Sequence, residues 1–189
     1  SNKNVRSRLM GIPTLISTTT ASNAATVSIT SGIDSTYDEY MFVLTDINPA
    51  TDAVKLTFQC SIDGGTNYNV TMTSTYFRAS HKEDDSDTDF GYEAGQDIAQ
   101  GTGFMPLMDG NGNGADESCA GILHLFSPSS TTYVKHWYAR IQGTTSGNNR
   151  SGDHYTAGYF NDADDDINAI QFKMTSGNLD GVVQMYGIA

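Results

Sequence analysis

The sequence contains no hydrophobic run that approaches the roughly 20 apolar residues of a membrane-spanning helix. We therefore expect neither a membrane insertion nor a secretory signal peptide. Only two cysteines, Cys60 and Cys119, are present, which is too few for a disulfide framework, although one bridge between them stays open. An apolar stripe at helical spacing never persists for three turns. These absences argue against a membrane protein, a disulfide-rich scaffold and a mainly helical fold.

Basic residues are also few, since 10 Lys and Arg face 22 Asp and Glu and give a formal charge of −12. Lys3, Arg6 and Arg8 precede the first acid, Asp34, so the chain from residue 34 onward has 7 basic and 22 acidic residues, a balance of −15. Such a body repels nucleic acid and anionic membranes, and we expect neither as a partner. The basic arm suits docking onto an acidic protein neighbour, with a frayed, solvated terminus as the alternative.

What the sequence does contain is a β-rich composition, with 10% aromatic residues and abundant Ser, Thr, Asn and Gly. Alternation of apolar and polar residues predicts about ten short strands separated by polar turns. The predicted strands cover residues 14–20, 25–30, 38–47, 54–62, 68–77, 119–127, 133–142, 154–160, 167–175 and 182–188.

The clearest strand is "AVKLTFQCSI", in which Val54, Leu56 and Phe58 point one way and polar residues the other. This pattern predicts a strand with one solvated face. The following "DGGTN", residues 63–67, is typical of a hairpin turn and predicts that the strands on either side of it pair with each other.

Ten short strands without intervening helices favour antiparallel pairing, because parallel neighbours need long crossovers. The sequence therefore predicts an all-β, antiparallel two-sheet β-sandwich of jelly-roll-like type over residues 14–189. Residues 1–13 would form a short, extended N-terminal arm. The apolar segment 182–188 predicts a final strand that belongs to the core.

Residues 80–118 differ from the rest, with seven Gly, many acids and few β-branched residues. We interpret them as long surface loops, which in a compact domain are usually functional or mobile. Tyr92, Phe104 and Asp109 are the contact residues that we expect there, and residues 92–101 could form a turn or two of helix. Apolar side chains would pin the loops at Phe90, Tyr92, Phe104, Met105, Leu107 and Met108.

The segment "DGNGNG", residues 109–114, matches the first half of a calcium loop, with Asp109, Asn111 and Asn113 at alternating positions. The match fails at the twelfth position, which is Ala120 in place of a bidentate Glu. A Ca²⁺ site is therefore one hypothesis, and a Gly-Asn turn without metal is the other. The acid runs 81–89 and 161–168 are more typical of solvated loop tips than of cation sites.

Catalytic motifs are not apparent, since the sequence has no G-x-S-x-G elbow and no cysteine with a matched histidine. Pairs of carboxylates for glycoside hydrolysis are too unspecific a signal to predict an enzyme. The histidines, His81, His124, His136 and His154, lack the spacing of a zinc site and favour structural roles. We expect a non-enzymatic protein.

Four stretches of the chain carry a resemblance to a known group of proteins. They are "YDEY" at residues 37–40, "INPATD" at 47–52, "SIDGGTNY" at 61–68 and "SGNLDGVVQMYGI" at 176–188. With them, residues 14–188 resemble small virion structural proteins of tailed, notably marine, bacteriophages. The chain departs from that group at Gln184 and Met185, where a Lys and a Leu are usual. The motifs belong to strands and turns, so they are specific for fold and carry no chemistry.

The resemblance implies a virion surface protein that is made in the host cytoplasm, with a jelly-roll-like sandwich. We expect a tail or fibre-associated component in host adsorption, with a capsid decoration or head-fibre protein as the alternative. A calcium-assisted carbohydrate-binding module is a further alternative, and an assembly factor absent from the mature particle is a weaker one. Expected partners are other virion proteins, copies of the chain itself, by default in a trimer, and a host cell-surface glycan.

Overall fold

The computed structural model describes residues 11–147, 149–162 and 164–189, and it contains only strands, turns and irregular segments in that part of the chain. Twelve strands follow one another along the sequence. Their bounds are β1 Thr14–Ala24, β2 Val27–Ile29, β3 Glu39–Pro49, β4 Val54–Ser61, β5 Met72–Lys82, β6 Thr88–Tyr92, β7 Met105–Asn111, β8 Cys119–Phe126, β9 Lys135–Thr145, β10 Arg150–Phe160, β11 Ala169–Met174 and β12 Leu179–Ile188.

The strands form two layers of unequal size, and all of their pairings are antiparallel. The larger layer has the strand order β1-β12-β3-β8-β9-β10-β5-β6, and the smaller layer has the order β7-β4-β11-β2. The layers are joined where β7 meets β9 at the single pair Asn111–Thr145. The prediction of an antiparallel, sandwich-like all-β fold is confirmed.

The core lies between the two layers and is built largely from aromatic rings. Phe58 of β4 packs against Trp137 of β9 and Phe160 of β10, with ring centroids 4.8 and 6.2 Å apart. Phe42 of β3 meets Phe172 of β11 at 5.9 Å. Because these contacts cross from one layer to the other, they hold the layers face to face.

The final strand is part of this core, as the sequence predicts. β12 lies between β1 and β3 and pairs with both along its length. Its alternate residues Leu179, Val183 and Met185 are buried. The apolar residues close to the last position are therefore explained by a strand that is flanked on both sides.

The expected solvated face of β4 is wrong, because both faces of this strand are covered. Thr57, Gln59 and Ser61 are as buried as the apolar residues between them. The Gln59 side-chain amide donates hydrogen bonds to the carbonyl oxygens of Val70, Thr102 and Gly103, at 3.1, 3.1 and 2.9 Å. The segment around 102–103 thus covers the second face and makes the polar residues of that face internal.

The expected hairpin between β4 and β5 is also wrong. β4 pairs with β7 and β11, whereas β5 pairs with β10 and β6, so the segment after β4 leads from the smaller layer to the larger. The turn itself has the predicted chemistry, with positive φ at Gly64 and Gly65 and an Asp63 carboxylate that accepts from the Asn67 backbone N–H at 2.9 Å. Hydrogen bonds from Ser61 and Asn67 lower the pKa of Asp63 to about 2.

Residues 80–118 are more regular than the sequence predicts, since β6, β7 and the end of β5 lie within them. Met105, Leu107 and Met108 are buried in the core as expected, but Phe90 and Tyr92 are exposed and pin nothing to it. No helix forms over residues 92–101, which run through turns and a single bridge.

The two cysteines are free and buried, so the bridge left open by the sequence does not form. Burial raises the pKa of Cys119 to about 12 and the pKa of Cys60 well above its usual range. Both side chains therefore act as small apolar groups of the core.

Candidate functional site

The outer face of the larger layer, which points away from the smaller layer, carries an unusual number of aromatic side chains. The registers of β5, β10, β9 and β8 align alternate residues of these strands in rows across the sheet. One row contains Phe77, Tyr155, Arg140 and Ile122. The next contains Thr75, Ala157, Tyr138 and His124, and a third contains Thr73, Tyr159 and His136, with Phe126 at its end.

The first row forms a stack of flat groups. Phe77 and Tyr155 lie parallel with centroids 5.0 Å apart, and the Arg140 guanidinium lies 5.0 Å from the centre of the Tyr155 ring. Arg140 is also paired with Asp153, at 2.6 Å. Phe90 of β6 extends the row by an edge contact with Phe77 at 6.1 Å.

The second and third rows form another stack. The Tyr138 ring is 4.7 Å from His124 and 5.8 Å from Phe126, with both pairs nearly parallel. His124 Nδ1 is hydrogen-bonded to the Glu39 carboxylate, which fixes the orientation of the imidazole. The stack is therefore held rigid in its position on the sheet.

A groove of about 440 Å³ lies beside this stack. Its floor is formed by small residues, Ala157 and Gly158, and a side chain at Gly158 would approach the Trp137 ring within 2.8 Å. The rings on its outer face belong to Phe126, His136, Tyr138 and Tyr159, and its outward hydroxyl groups belong to Thr73 and Thr75, whereas Trp137 and Ser74 point into the core beneath it. We call this feature the aromatic groove. Aromatic rings beside a few hydrogen-bonding groups are typical of ligand sites.

Few charges lie near the aromatic groove. Arg140 belongs to the first row and Glu39 lies on β3 opposite Phe126, and each has a partner of its own, Asp153 and His124 respectively. In a chain with a formal charge of −12, this face therefore repels an anionic surface less than the acidic loops do.

A second concavity, of about 500 Å³, has the opposite character. It lies where the larger layer extends beyond β7, the last strand of the smaller layer, and its lining is polar: Arg78, Asp87, Thr88, Asp89, Asp109, Gly110, Thr145, Ser146 and Arg150. Arg78 Nε bonds to Glu93 at 2.6 Å and Arg78 Nη2 to Asp89 at 3.3 Å. Arg150 is paired with Asp87. We call this feature the polar cleft, and its guanidinium groups are already bonded to carboxylates.

A buried Tyr–His pair lies on the inner faces of β5 and β10. The Tyr76 hydroxyl and His154 Nδ1 are 2.6 Å apart, and both residues are buried. Burial is the main cause that lowers the pKa of His154 to about 4 and raises the pKa of Tyr76. The imidazole is therefore neutral at pH 7. Since neither residue is exposed or lines the polar cleft, the pair is structural.

The three residues of the calcium hypothesis make separate bonds. Asp109 accepts from the Gln96 amide at 2.9 Å, and Asn113 donates to the carbonyl of Ala50 at 3.4 Å. Asn111 is buried and donates to the Ile47 carbonyl at 3.3 Å. Over the described ranges, no group of three or more His, Cys, Asp or Glu side chains could hold a metal ion. The side chains of Asp109, Asn111 and Asn113 thus do not point towards a common site, and the calcium site stays a prediction.

The three predicted contact residues lie around segment 95–98. Tyr92 is exposed and donates to Asp97, and Asp109 is bonded to Gln96. Phe104 is half-buried beneath the Lys173 ammonium, 3.8 Å from the ring centre. Their role in contacts stays a prediction.

The arm residues Lys3, Arg6 and Arg8 lie outside the described residues. Within the described ranges there is no helix with the length and apolar character needed to span a bilayer.

One signal of the aromatic outer face is visible in the sequence. Alternation places His136 and Tyr138 on one side of their strand and Lys135 and Trp137 on the other, and the burial of the four residues agrees. The joint surface could not be read from the sequence, because it depends on which strands are neighbours. Comparison with models of known protein families, with curated proteins and with solved structures finds no match for the chain.

Proposed function

We propose that the chain is a non-enzymatic structural protein of a bacteriophage virion, made in the host cytoplasm and exposed on the particle. Within that class, we propose a tail or fibre-associated component that contacts the host surface during adsorption. The resemblance of residues 14–188 to small virion proteins supports the class, and the aromatic groove supports the contact.

The observation that carries the proposal is the composition of the aromatic groove. Sugar rings have apolar C–H faces rimmed by hydroxyls, and they fit a surface on which aromatic rings stand beside hydrogen-bonding groups. Here Tyr138 and Tyr159 provide rings, and Thr73, Thr75 and His136 provide donors and acceptors. A neutral host glycan is therefore the ligand that the groove suits best.

An oligomer would make such a site effective. A single open groove on a flat sheet binds weakly, because it surrounds little of its ligand. Several copies in one closed assembly, by default a trimer, bind a repetitive glycan with much greater avidity. The rigid sandwich would hold the grooves at fixed spacing.

The experiment that tests the class is the copy number of this chain in purified virions, measured by quantitative mass spectrometry against the major capsid protein. A few to a few dozen copies support a tail or fibre component. Hundreds of copies would favour the capsid decoration, and absence from virions would remove the proposal.

The glycan contact has its own test on the purified protein. Tyr138→Ala and Tyr159→Ala should each weaken binding to host surface polysaccharide at least tenfold, because they remove rings from the groove. Tyr133→Ala is the control, since Tyr133 is an exposed tyrosine outside the groove lining. Equal binding by all three variants and the wild type would overturn the contact.

A further inference from the structure

The larger layer ends in an edge strand, β6, that is open on one side. β6 pairs with β5 in continuous register, and no other strand of the described residues pairs with it. Bonds from Lys82 N to Asp87 O, at 3.0 Å, and from Glu93 N to Tyr76 O, at 2.9 Å, continue this ladder at both ends. Since ladder bonds alternate along an antiparallel strand, the backbone groups of Phe90 and Tyr92 point away from β5.

This open edge lacks the usual protection against strand pairing. Natural edges are blocked by proline, charged side chains, bulges or covering loops. β6, with the sequence "TDFGY", has no proline, lysine or bulge, and its one charged residue, Asp89, is paired with Arg78. Its side chains Phe90 and Tyr92 are 74% and 55% exposed. The edge is therefore open to an additional strand, which is a common way in which proteins bind an extended segment.

The charge around β6 specifies what kind of strand would bind. The turn that leads into β6 and the first two residues of the strand, "EDDSDTD" at residues 83–89, carry five acids and no base. Arg150 is paired with Asp87, and Arg78 is paired with both Asp89 and Glu93. The two arginines therefore neutralise only part of the negative charge at this edge. An extended segment that is basic would complement this edge, whereas an acidic one would be repelled.

Such a segment exists in the chain itself. Residues 1–10, "SNKNVRSRLM", contain three basic residues and no acid. In an extended conformation, Val5 and Leu9 would lie on one face and Arg6 and Arg8 on the other. On β6, Phe90 and Tyr92 lie on the outer face, and Asp89 lies on the inner side with Arg78. The apolar face of the segment thus corresponds to the aromatic outer face of β6, and its basic face corresponds to the acidic inner face of β6.

We propose that residues 1–10 of one copy bind to β6 of a second copy as an additional antiparallel strand. The apolar face of the segment would meet Phe90 and Tyr92, and its arginines would meet the acids on the inner side. The inference deepens the proposed function, since it names what the basic arm binds, and it rests on that proposal only for its place in a virion.

A second copy is favoured over the same copy because of the distance involved. The segment joins the fold at Gly11, whose N–H bonds to the Ala189 carbonyl at the β1 end of the larger layer. Seven strand spacings separate β1 from β6, about 34 Å along the sheet. Ten extended residues reach about 33–36 Å, so residues 1–10 would be needed to span the distance to β6 of the same copy and none of them would remain to pair with it. Head-to-tail binding between copies forms a closed ring where the rotation from one copy to the next closes.

The test uses full-length protein and two charge-swapped variants. The first carries Lys3→Glu, Arg6→Glu and Arg8→Glu, and the second carries Glu83→Lys, Asp84→Lys and Asp85→Lys. Sedimentation velocity over a dilution series should show a salt-sensitive oligomer for the wild type and single chains for each variant alone. In an equimolar mixture, the acidic arm of one variant meets the basic edge of the other, so association should return.

Three results would overturn the inference: a wild type that is a single chain at every concentration, variants that associate like the wild type, or a mixture that stays dissociated. A second pair of variants tests strand addition itself. Phe90→Pro and Phe90→Val both remove the ring, but only proline also removes the outward N–H, which β5 does not use. Association at least tenfold weaker for Phe90→Pro is expected, and equal association would exclude a strand. Virion copy number is independent of all these outcomes.

Discussion

The two ends of the interior differ sharply, although the same strands, β9 and β10, run through both. At one end, the rings of Phe58, Trp137 and Phe160 pack between the layers, and the buried Lys135 beside them donates to the Asp162 carbonyl. At the other end, the same layer presents Tyr76 and His154, and the polar cleft opens nearby. The change occurs where the larger layer extends past β7, the last strand of the smaller layer.

The difference shows that the size of the layers decides the chemistry of the interior. Where two layers meet, apolar side chains are removed from water on both sides, which stabilises the fold. Where the larger layer extends past the smaller one, polar side chains occupy its inner face: some are buried, like Tyr76 and His154, and others line the polar cleft. Four changes test how far this contrast holds.

The largest effect is expected at the apolar end, for Phe58→Ala. Phe58 is fully buried and contacts three other aromatic rings, so the truncation removes buried surface and leaves a cavity. A loss of about 3–5 kcal/mol in the free energy of unfolding is expected. Chemical denaturation measures it, and a loss below about 1 kcal/mol would contradict a core that is held at this ring.

At the polar end, the strongest effect should come from pH. In the unfolded chain His154 has the usual pKa of 6.5, whereas burial, together with the charge of Arg78 and against that of Asp153, lowers its folded pKa to about 4. Between these two pKa values the unfolded state binds a proton and the folded state does not. The free energy of unfolding therefore falls as the pH drops from 6.5 to about 4. The loss is up to about 3 kcal/mol.

The variant His154→Phe separates the effect of His154 on the pH dependence of stability from the effect of the Asp and Glu side chains, which also titrate at low pH. Its stability at pH 7 should be lower, because Tyr76 loses its hydrogen-bond partner. Between pH 7 and pH 4.5, however, its melting temperature should fall less than that of the wild type. Parallel pH profiles for the two proteins would show that His154 does not titrate as described.

A smaller effect is expected for Thr156→Val, also at the polar end. The Thr156 hydroxyl is buried and has no hydrogen-bond partner among the described residues. Since a methyl group of the same shape needs no partner, the change should be neutral or stabilise by up to about 1 kcal/mol. Thermal unfolding measures it, and a clear loss of stability would mean that the hydroxyl has a partner.

The smallest effect is expected outside the interior, for Arg140→Gln on the aromatic face. Arg140 is exposed, and its ion pair with Asp153 lies at the surface, where solvent screens it. The melting temperature should stay within the error of the measurement. A measurable loss would show that the stack on Tyr155 contributes to stability as well as to the shape of the face.

Most of the fold could be predicted from the sequence because alternation is a local property. Strands such as β9, with Lys135, Trp137 and Ala139 inward, are visible in the order of residues alone. β6 and β7 were missed because "TDFGY" and "MPLMDGN" contain Gly, Asp or Pro and alternate poorly. They are strands because β5 on one side and β4 on the other provide their hydrogen bonds, and those neighbours are distant in sequence.

The sites were less predictable for the same reason. The aromatic groove joins residues of β5, β8, β9 and β10, which only the register brings together. Gln59 looked solvated because the segment that covers it, around Thr102 and Gly103, lies more than 40 positions away. The Asp109, Asn111 and Asn113 spacing suggested one ligand set, but Asn111 lies in a strand with its amide turned to Ile47.

The two buried thiols have a practical consequence for testing the proposed place of this chain on a virion. Cys60 and Cys119 are free, inaccessible and protonated at neutral pH, so maleimide reagents would leave the native protein unlabelled. A single cysteine introduced at an exposed position such as Thr131 would then be the one reactive handle. A gold or fluorescent tag attached there would mark each copy at a known point, and images of tagged particles could distinguish the tail from the capsid directly.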